Sequence, residues 1–137
     1  MRDAILVANK DCAQELREIV DKLENTGSEL HSLHTKVFRP WGWFQTIDEG
    51  EQFKVKIIHL NPHSKISLQR HKYRAEHWIV ILGTARVTCG RKNFSLSENE
   101  STFIPSAEKH RLENNTDTAL RLIEIQTGER LEEADIE

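Results

Sequence analysis

The sequence is poor in cysteine and has little net charge. Its 137 residues contain two cysteines, Cys12 and Cys89, which lie far apart and form no C-x-x-C pair. This usage does not fit a disulfide framework and favours a reducing compartment. Nineteen basic residues stand against 22 acidic ones, which gives a net charge of −3. Without a basic stripe, the chain is not expected to bind nucleic acid or a membrane surface.

Long hydrophobic runs are also missing. The apolar run Ala4–Ala8 is followed at once by Asn9, Lys10 and Asp11. It is too short for the apolar region of a signal peptide, and no export cleavage pattern follows it. The sequence contains no internal repeat and no low-complexity tract. We therefore expect a cytoplasmic protein with one domain of ordinary size and a short appendage.

The character of the sequence changes near Val37, where a helical pattern gives way to strands. Ala4–Ala8 predicts a short buried strand. The next segment, Asp11–Leu23, has the 3,4,3 spacing of one apolar helical face, formed by Ala13, Leu16, Val20 and Leu23. A polar connector covers residues 24–36. We divide the chain into an N-terminal part, residues 1–37, and a strand-rich part, residues 38–137.

The strand-rich part consists of short apolar runs separated by turn signals such as Gly83–Thr84 and Asn114–Asn115. The predicted strands are Phe53–Leu60, Trp78–Leu82, Ala85–Cys89, Asn93–Leu96, Ser101–Ile104 and Ala119–Thr127. Many short strands at regular spacing predict an all-β sandwich or barrel.

Four polar side chains have the types and spacing of metal ligands: Gln69, His71, Glu76 and His110. Residues two apart in a strand share a face, so Gln69 and His71 are expected to project together from one strand. Glu76 and His110 are expected on neighbouring strands. Imidazole nitrogens with a carboxylate suit a divalent metal that keeps an open position. The other histidines considered, His31, His34, His59 and His63, are expected to be surface or hydrogen-bonded residues.

Two motifs in the strand-rich part resemble those of a known family. Gln69-x-His71-x4-Glu76-x6-Gly83 and Pro105-x-Ala107-x2-His110-x3-Asn114 resemble the two cupin motifs, with Gln in place of the usual first His and Ala in place of a Gly. The runs Arg39–Gly42, Arg74–Trp78 and His110–Asn114 resemble the C-terminal cupin domain of type II phosphomannose isomerases. The resemblance implies a double-stranded β-helix, or jelly-roll barrel, with a short N-terminal strand and helix.

In that family, a mannose-1-phosphate guanylyltransferase domain usually precedes the cupin domain. Residues 3–10 resemble the end of the transferase domain. The family's glycine-rich nucleotide-binding loop has no counterpart in this sequence, so guanylyltransferase activity is not expected. We expect either a fragment of a bifunctional enzyme or a stand-alone remnant.

The resemblance implies interconversion of mannose 6-phosphate and fructose 6-phosphate through an enediolate, which supplies GDP-mannose synthesis. The expected cofactor is zinc, with cobalt, nickel or manganese as alternatives, since the same ligands accept them. The candidate bases are Lys56 and Glu124, and a solvated strand face is an equal alternative for each. Arg74, expected in the loop before Glu76, is the first candidate for binding substrate phosphate. Arg39 and Arg111 are weaker candidates, and a homodimer is expected.

Two other functions remain open. Two histidines and a carboxylate also form the ligand set of non-haem iron oxygenases, although Gln69 as a fourth ligand would leave fewer open positions. A sugar-phosphate-binding remnant without turnover is the other alternative. The chain also departs from the family at Asn61–His63 and in residues 130–136, a C-terminal arm expected to line the substrate mouth.

Overall fold

The computed structural model describes residues 36–132 together with Glu18 and Asp21. The chain divides into two compact units, Met1–Thr35 and Lys36–Glu137. In the first unit, Glu18 and Asp21 are helical and exposed, and both fall in the predicted helix. The predicted strand Ala4–Ala8 lies outside the described residues. Among the residues that are described, no helix has the length and apolar character needed to cross a membrane.

The described residues of the second unit form nine β-strands. They are β1 Val37–Arg39, β2 Gly42–Gly50, β3 Phe53–Leu60, β4 Arg74–Leu82, β5 Ala85–Cys89, β6 Lys92–Leu96, β7 Ser101–Ile104, β8 His110–Glu113 and β9 Leu120–Gly128. Strands β3, β5 and β7 have the predicted bounds. Strand β6 begins one residue earlier than predicted, and β9 begins and ends one residue later.

Three strands were not predicted, and β4 is longer than predicted. In β2, the register shifts between Thr46 and Asp48, and such a bulge hides the two-residue period in the sequence. Strand β8 alternates inward and outward residues but has only four of them. Strand β4 begins at Arg74 rather than at the predicted Trp78. The prediction missed its first half because charged residues occupy the inward positions there, where an apolar residue is the usual signal.

The strands form two antiparallel sheets. The order in the larger sheet is β1-β2-β3-β9-β4-β7, and in the smaller it is β6-β5-β8. The segment between β3 and β4 runs beside β8, with bridges between Lys65 and Glu113 and between Gln69 and His110. The chain therefore reaches β4 of the larger sheet by way of the smaller one.

The inner face of the larger sheet changes from apolar to polar along β3, β9 and β4. Apolar residues at one end are at most 5% exposed: Ile58, Leu60, Val80, Leu120 and Leu122. Burial of such side chains contributes roughly 1.5 to 3 kcal/mol each. At the other end, the buried residues are Lys56, Arg74, Glu76, Glu124 and Gln126. Buried polar groups are costly unless they find partners, so this end of the barrel is where a site is expected.

Asn114 stabilises the turn after β8, at the predicted turn signal Asn114–Asn115. Its side chain is fully buried and donates to the carbonyl oxygens of Asn61 at 3.2 Å and Thr118 at 2.8 Å. Its Oδ1 accepts from the backbone NH and the hydroxyl of Thr116 at 3.1 and 2.8 Å. The turn therefore links the ends of three separate segments.

Candidate metal centre

Three of the predicted ligands come together from three different segments. Glu76 lies on β4 of the larger sheet, and His110 is the first residue of β8 in the smaller sheet. The prediction that they lie on neighbouring strands is therefore wrong, because the two sheets supply one residue each. His71 comes from the segment that joins β3 to β4.

The prediction of a regular strand through Gln69 and His71 is also wrong. Gln69 pairs with His110 in an isolated bridge, with backbone bonds of 2.9 and 2.8 Å. The carbonyl oxygen of His71 instead accepts from the backbone NH of Ala107 at 2.7 Å. The backbone of His71 is therefore not paired with β8 but is hydrogen-bonded to the turn that precedes β8.

The ligand atoms of His71, Glu76 and His110 form a compact buried cluster. One atom from each lies within 4.8 Å of the other two. Nε2 of His71 is 3.3 Å from Glu76 Oε1, and Nε2 of His110 is 3.5 Å from Glu76 Oε2. Atoms that bind one metal at about 2.1 Å are themselves about 3 to 3.5 Å apart. The two pairs that include Glu76 therefore have the spacing of ligands at one metal centre.

The protonation of His110 supports this fit. Its Nδ1 donates to the carbonyl oxygen of Glu108 at 2.9 Å, so a neutral ring carries its lone pair on Nε2. Burial is the main cause that lowers the pKa of His110, and it favours this neutral form. Nε2 is buried without a hydrogen-bond partner among the described residues. A lone pair facing a carboxylate oxygen calls for a cation between them.

Gln69 lies at the edge of this cluster. It is partly buried and, together with Glu76, lines a cavity that opens beside the cluster. Its amide nitrogen donates to the hydroxyl of Ser67 at 3.2 Å. Ligation would use the amide oxygen, and Gln69 as a fourth ligand stays a prediction.

Arg74 is not in a loop, contrary to the prediction, but is the first residue of β4 and only 4% exposed. Its Nε donates to Glu76 Oε1 at 3.1 Å, and its Nη2 donates to His71 Nε2 at 3.1 Å. A third bond, from Nη1, reaches the carbonyl oxygen of Glu132 at 3.0 Å. The guanidinium therefore holds two of the three cluster residues and the C-terminal segment.

Both candidate bases are buried beside the cluster. Lys56 and Glu124 face each other across β3 and β9. Both oxygens of Glu124 accept hydrogen bonds, from Gln126 Nε2 at 2.7 Å and from Trp78 Nε1 at 3.1 Å. Burial first, and then the charge of Glu76, raise the pKa of Glu124 to about 7. Each residue was predicted with a solvated strand face as the alternative, and burial excludes that alternative for both.

Gln126 and Trp78 were not predicted as site residues. The Trp78 indole donates to Glu76 Oε2 at 3.2 Å as well as to Glu124, so it joins the metal cluster to the candidate base. The available signal for Gln126 was its position two residues after the candidate base Glu124, on the same face of β9. Trp78 lies in an apolar run of the sequence, and an aromatic residue in such a run gives no signal of a role in a site.

An open cavity of about 380 Å³ leads to this buried group. Its polar wall is formed by Arg39, Lys56, Gln69, Arg74, Glu76, Glu124 and Gln126, and its apolar wall includes Trp41 and Phe44. This volume falls within the range of about 300 to 1,000 Å³ for small-molecule sites. The cavity therefore brings the candidate base residues, Arg39 and Arg74 to one space.

The remaining candidates lie away from this space. Arg111 bonds Glu113 at 3.5 Å and does not line the 380 Å³ cavity. His77 points away from the cluster and packs on Phe103 with ring centroids 4.8 Å apart. His63 is on the surface and contacts Asp117 at 2.7 Å, and His59 stacks on Trp43.

Comparison with known sequences finds relatives that match nearly the whole chain. It is 51% identical over 134 residues to Mannose-1-phosphate guanylyltransferase RfbM of Salmonella typhimurium, covering 98% of this chain and 28% of that protein. It is 46% identical over 136 residues to Alginate biosynthesis protein AlgA of Pseudomonas aeruginosa, covering 99% and 28%. The chain thus spans less than a third of the length of these relatives.

Comparison with solved structures confirms the predicted all-β cupin barrel. The cupin domain of Cnp3 from Schizosaccharomyces pombe matches with a TM-score of 0.61 at 15% identity, covering 63% of this chain and 64% of that one. An oxalate decarboxylase from B. subtilis matches with a TM-score of 0.69 at 18% identity, covering 76% and 30%. At this identity the likeness shows the fold alone.

The family comparison matches most of the chain. The family described as Mannose-6-phosphate isomerase C-terminal covers residues 26–137, a range that includes the cluster, the cavity and every described strand. The chain therefore belongs to the mannose-6-phosphate isomerase C-terminal family.

Proposed function

We propose that this site interconverts mannose 6-phosphate and fructose 6-phosphate, with a divalent metal held by His71, Glu76 and His110. The observation that carries the proposal is the buried cluster of ligand atoms beside a cavity that also holds Lys56 and Glu124. A bound metal supplies Lewis acidity at the sugar oxygens, where negative charge develops. Zinc is the first candidate, and cobalt, nickel and manganese suit the same ligands.

Proton transfer is assigned to Lys56 and Glu124. The reaction moves a proton between adjacent carbons, so a base must take it from one carbon and an acid must return it to the other. Glu124 is held at both oxygens by Trp78 and Gln126, and a fixed carboxylate is suited to such a transfer. Lys56 lies directly across from it on β3 and is placed to supply or receive the second proton.

The phosphate group is assigned first to Arg39. This residue is exposed and lines the cavity, and its forked guanidinium can pair with phosphate oxygens. Arg74 is buried and already bonded to His71, Glu76 and the Glu132 carbonyl. It can contact a substrate only when some of those bonds are released.

The names of the relatives support a place in mannose nucleotide and polysaccharide synthesis. An isomerase at this site would supply GDP-mannose synthesis, and guanylyltransferase activity is not assigned to this chain. The homodimer and the cytoplasmic location remain predictions.

The test is a coupled assay of fructose 6-phosphate formed from mannose 6-phosphate by the 137-residue chain. The protein is stripped of metal and then supplied with zinc, cobalt, nickel or manganese. We expect turnover with added metal, loss of turnover in His110→Ala, and a fall of roughly 10² to 10⁴ in rate for Glu124→Gln. The control is His63→Ala, which changes a surface histidine bonded to Asp117 and should retain turnover.

Two other outcomes would reject the isomerase. Sugar-phosphate binding without turnover, with every metal, would indicate a binding domain. Iron in the purified protein together with oxygen uptake would indicate an oxygenase, because the described cluster also has the two-histidine, one-carboxylate set of that class.

A further inference from the structure

Arg74 occupies the same ligand atoms that the proposed metal requires. Its Nη2 donates to His71 Nε2, and its Nε donates to Glu76 Oε1, both at 3.1 Å. Arginine has donors only, so His71 must present a lone pair on Nε2 to make this bond. That lone pair is the metal-binding electron pair of the ring.

A metal and Arg74 therefore compete. The Nε2 lone pair of a neutral imidazole binds one partner at a time, either an N–H hydrogen or a metal. A divalent cation held among these ligands also repels the guanidinium, and in a buried site this repulsion is poorly screened. Binding of a metal by His71 and Glu76 must therefore release at least the Nη2 bond of Arg74.

The released guanidinium faces a space suited to an anion. Arg74 lines the cavity together with Arg39 and Lys56, against the carboxylates of Glu76 and Glu124. With Glu124 ionised, these three cations and two anions give a net charge of +1, which a divalent metal raises to +3. A guanidinium with free donors pairs with oxyanions through parallel hydrogen bonds.

We propose that Arg74 competes with a divalent metal for His71 and Glu76, and that metal binding converts Arg74 into a binding group for an oxyanion. The ligand class is a small phosphate-like anion, such as the phosphate group of a sugar phosphate. Binding is then ordered, with the metal first and the anionic ligand second. This inference rests on the proposed metal site and not on isomerase turnover.

The experiment measures binding by calorimetry on the full 137-residue chain, with cobalt(II) as the metal and inorganic sulfate as the anion. Cobalt sulfate is soluble, so the two probes can be combined. In the wild-type protein, we expect sulfate to bind about tenfold more tightly after cobalt is added, because the released Arg74 guanidinium then has free donors for a charge-assisted pair with the anion.

Substitutions of Arg74 separate its two roles. Arg74→Gln should bind cobalt about tenfold more tightly, because a charge-assisted competitor is removed, and it should lose the cobalt-dependent gain in sulfate affinity. Arg74→Lys keeps the charge and should retain part of that gain. The matched control is Arg86→Gln on β5, an exposed residue outside this cavity, for which both affinities should equal those of the wild type.

Three results would overturn the inference. The first is equal sulfate affinity with and without cobalt in the wild type. The second is weaker cobalt binding by Arg74→Gln than by the wild type. The third is a full cobalt-dependent gain in sulfate affinity in Arg74→Gln, which would mean that sulfate binds to the cobalt itself. The wild-type comparison does not depend on how any variant folds. If these binding results are as expected but the isomerase assay is negative, only the proposed reaction is rejected.

Discussion

At the scale of single residues, the site depends on where each buried polar side chain finds a partner. His110 directs its Nδ1 hydrogen to the Glu108 carbonyl, which leaves Nε2 as a candidate ligand atom. Trp78 donates to both Glu76 and Glu124, so one indole hydrogen fixes two carboxylates. Such bonds decide which atoms remain available for a metal and which are already used.

His59 provides a residue-scale prediction on the outer face of the barrel. Its ring stacks on Trp43 with centroids 5.1 Å apart, and its buried Nδ1 has no hydrogen-bond partner among the described residues. Burial first, and then the charges of Arg121 and Lys36, lower the pKa of His59 below 6.5. As the pH falls through 6.5, His59 takes up a proton in the unfolded chain but stays neutral in the folded chain. The free energy of unfolding therefore decreases.

The measurement is urea unfolding at pH 7.5, 6.5 and 5.5, followed by tryptophan fluorescence. His59→Phe keeps an aromatic ring without a titrating group, so it should lose less unfolding free energy between pH 7.5 and 5.5 than the wild type. Arg121→Gln removes one of the charges that lower the pKa and should also reduce the loss. An equal loss in His59→Phe and wild type would show that His59 is not the cause.

At the scale of elements, the turn between β7 and β8 positions one ligand and supports another. It contains Ala107, whose NH donates to the carbonyl oxygen of His71, and it ends at His110. The backbone at Ala107 has φ of 64°, the left-handed region that side chains with a Cβ disfavour. The cupin motif usually has Gly at this position. Ala107 therefore adopts a backbone conformation that glycine adopts more easily.

This conformation predicts that Ala107→Gly stabilises the protein. The substitution relieves about 1 kcal/mol of strain, partly offset by the greater freedom of glycine in the unfolded chain, so we expect a net gain of about 0.5 kcal/mol. The methyl group is exposed and contributes little packing. The check is the urea unfolding free energy, with Ser106→Gly as control.

Ser106 is not among the residues with positive φ, so a glycine there adds only freedom to the unfolded chain and should destabilise. A loss of stability in Ala107→Gly equal to that in Ser106→Gly would contradict the assignment of strain to Ala107.

At the scale of the whole molecule, the two sheets are joined at the site. The larger sheet supplies Glu76 and Glu124, the smaller supplies His110, and the segment between β3 and β4 supplies His71. A metal bound to all three parts would link them in the folded state, whereas the unfolded chain has no such preformed group. Metal binding should therefore stabilise the barrel as a whole.

We predict that zinc raises the unfolding free energy by about 2.7 kcal/mol when its free concentration is 100 times its dissociation constant. The measurement is urea unfolding, followed by tryptophan fluorescence, because Trp41, Trp43 and Trp78 all lie in the second unit. A chelator should reverse the gain. His110→Ala should lose it, while His63→Ala should keep it, and an equal gain in wild type and His110→Ala would place the zinc elsewhere.

Much of the barrel could be predicted from the sequence. Strands β3, β5 and β7 follow apolar runs bounded by turn signals, and local alternation is enough to define them. His71, Glu76 and His110 were predicted as ligands because their types and spacing match a metal-binding motif, and the structure brings these three residues together. The bulge in β2, the length of β8 and the charged start of β4 were missed, because local patterns there are broken or too short.

What the sequence by itself determined is the kind of fold and the residue types of the candidate metal site. Only the tertiary structure showed that Glu76 and His110 belong to different sheets, that Arg74 is buried against the ligands, and that Trp78 joins Glu76 to Glu124. The physical reason is the distance along the chain over which each effect acts. Periodicity and turn chemistry act between residues near in the chain, whereas the partner of a buried polar group is chosen among residues that only the packed barrel brings together.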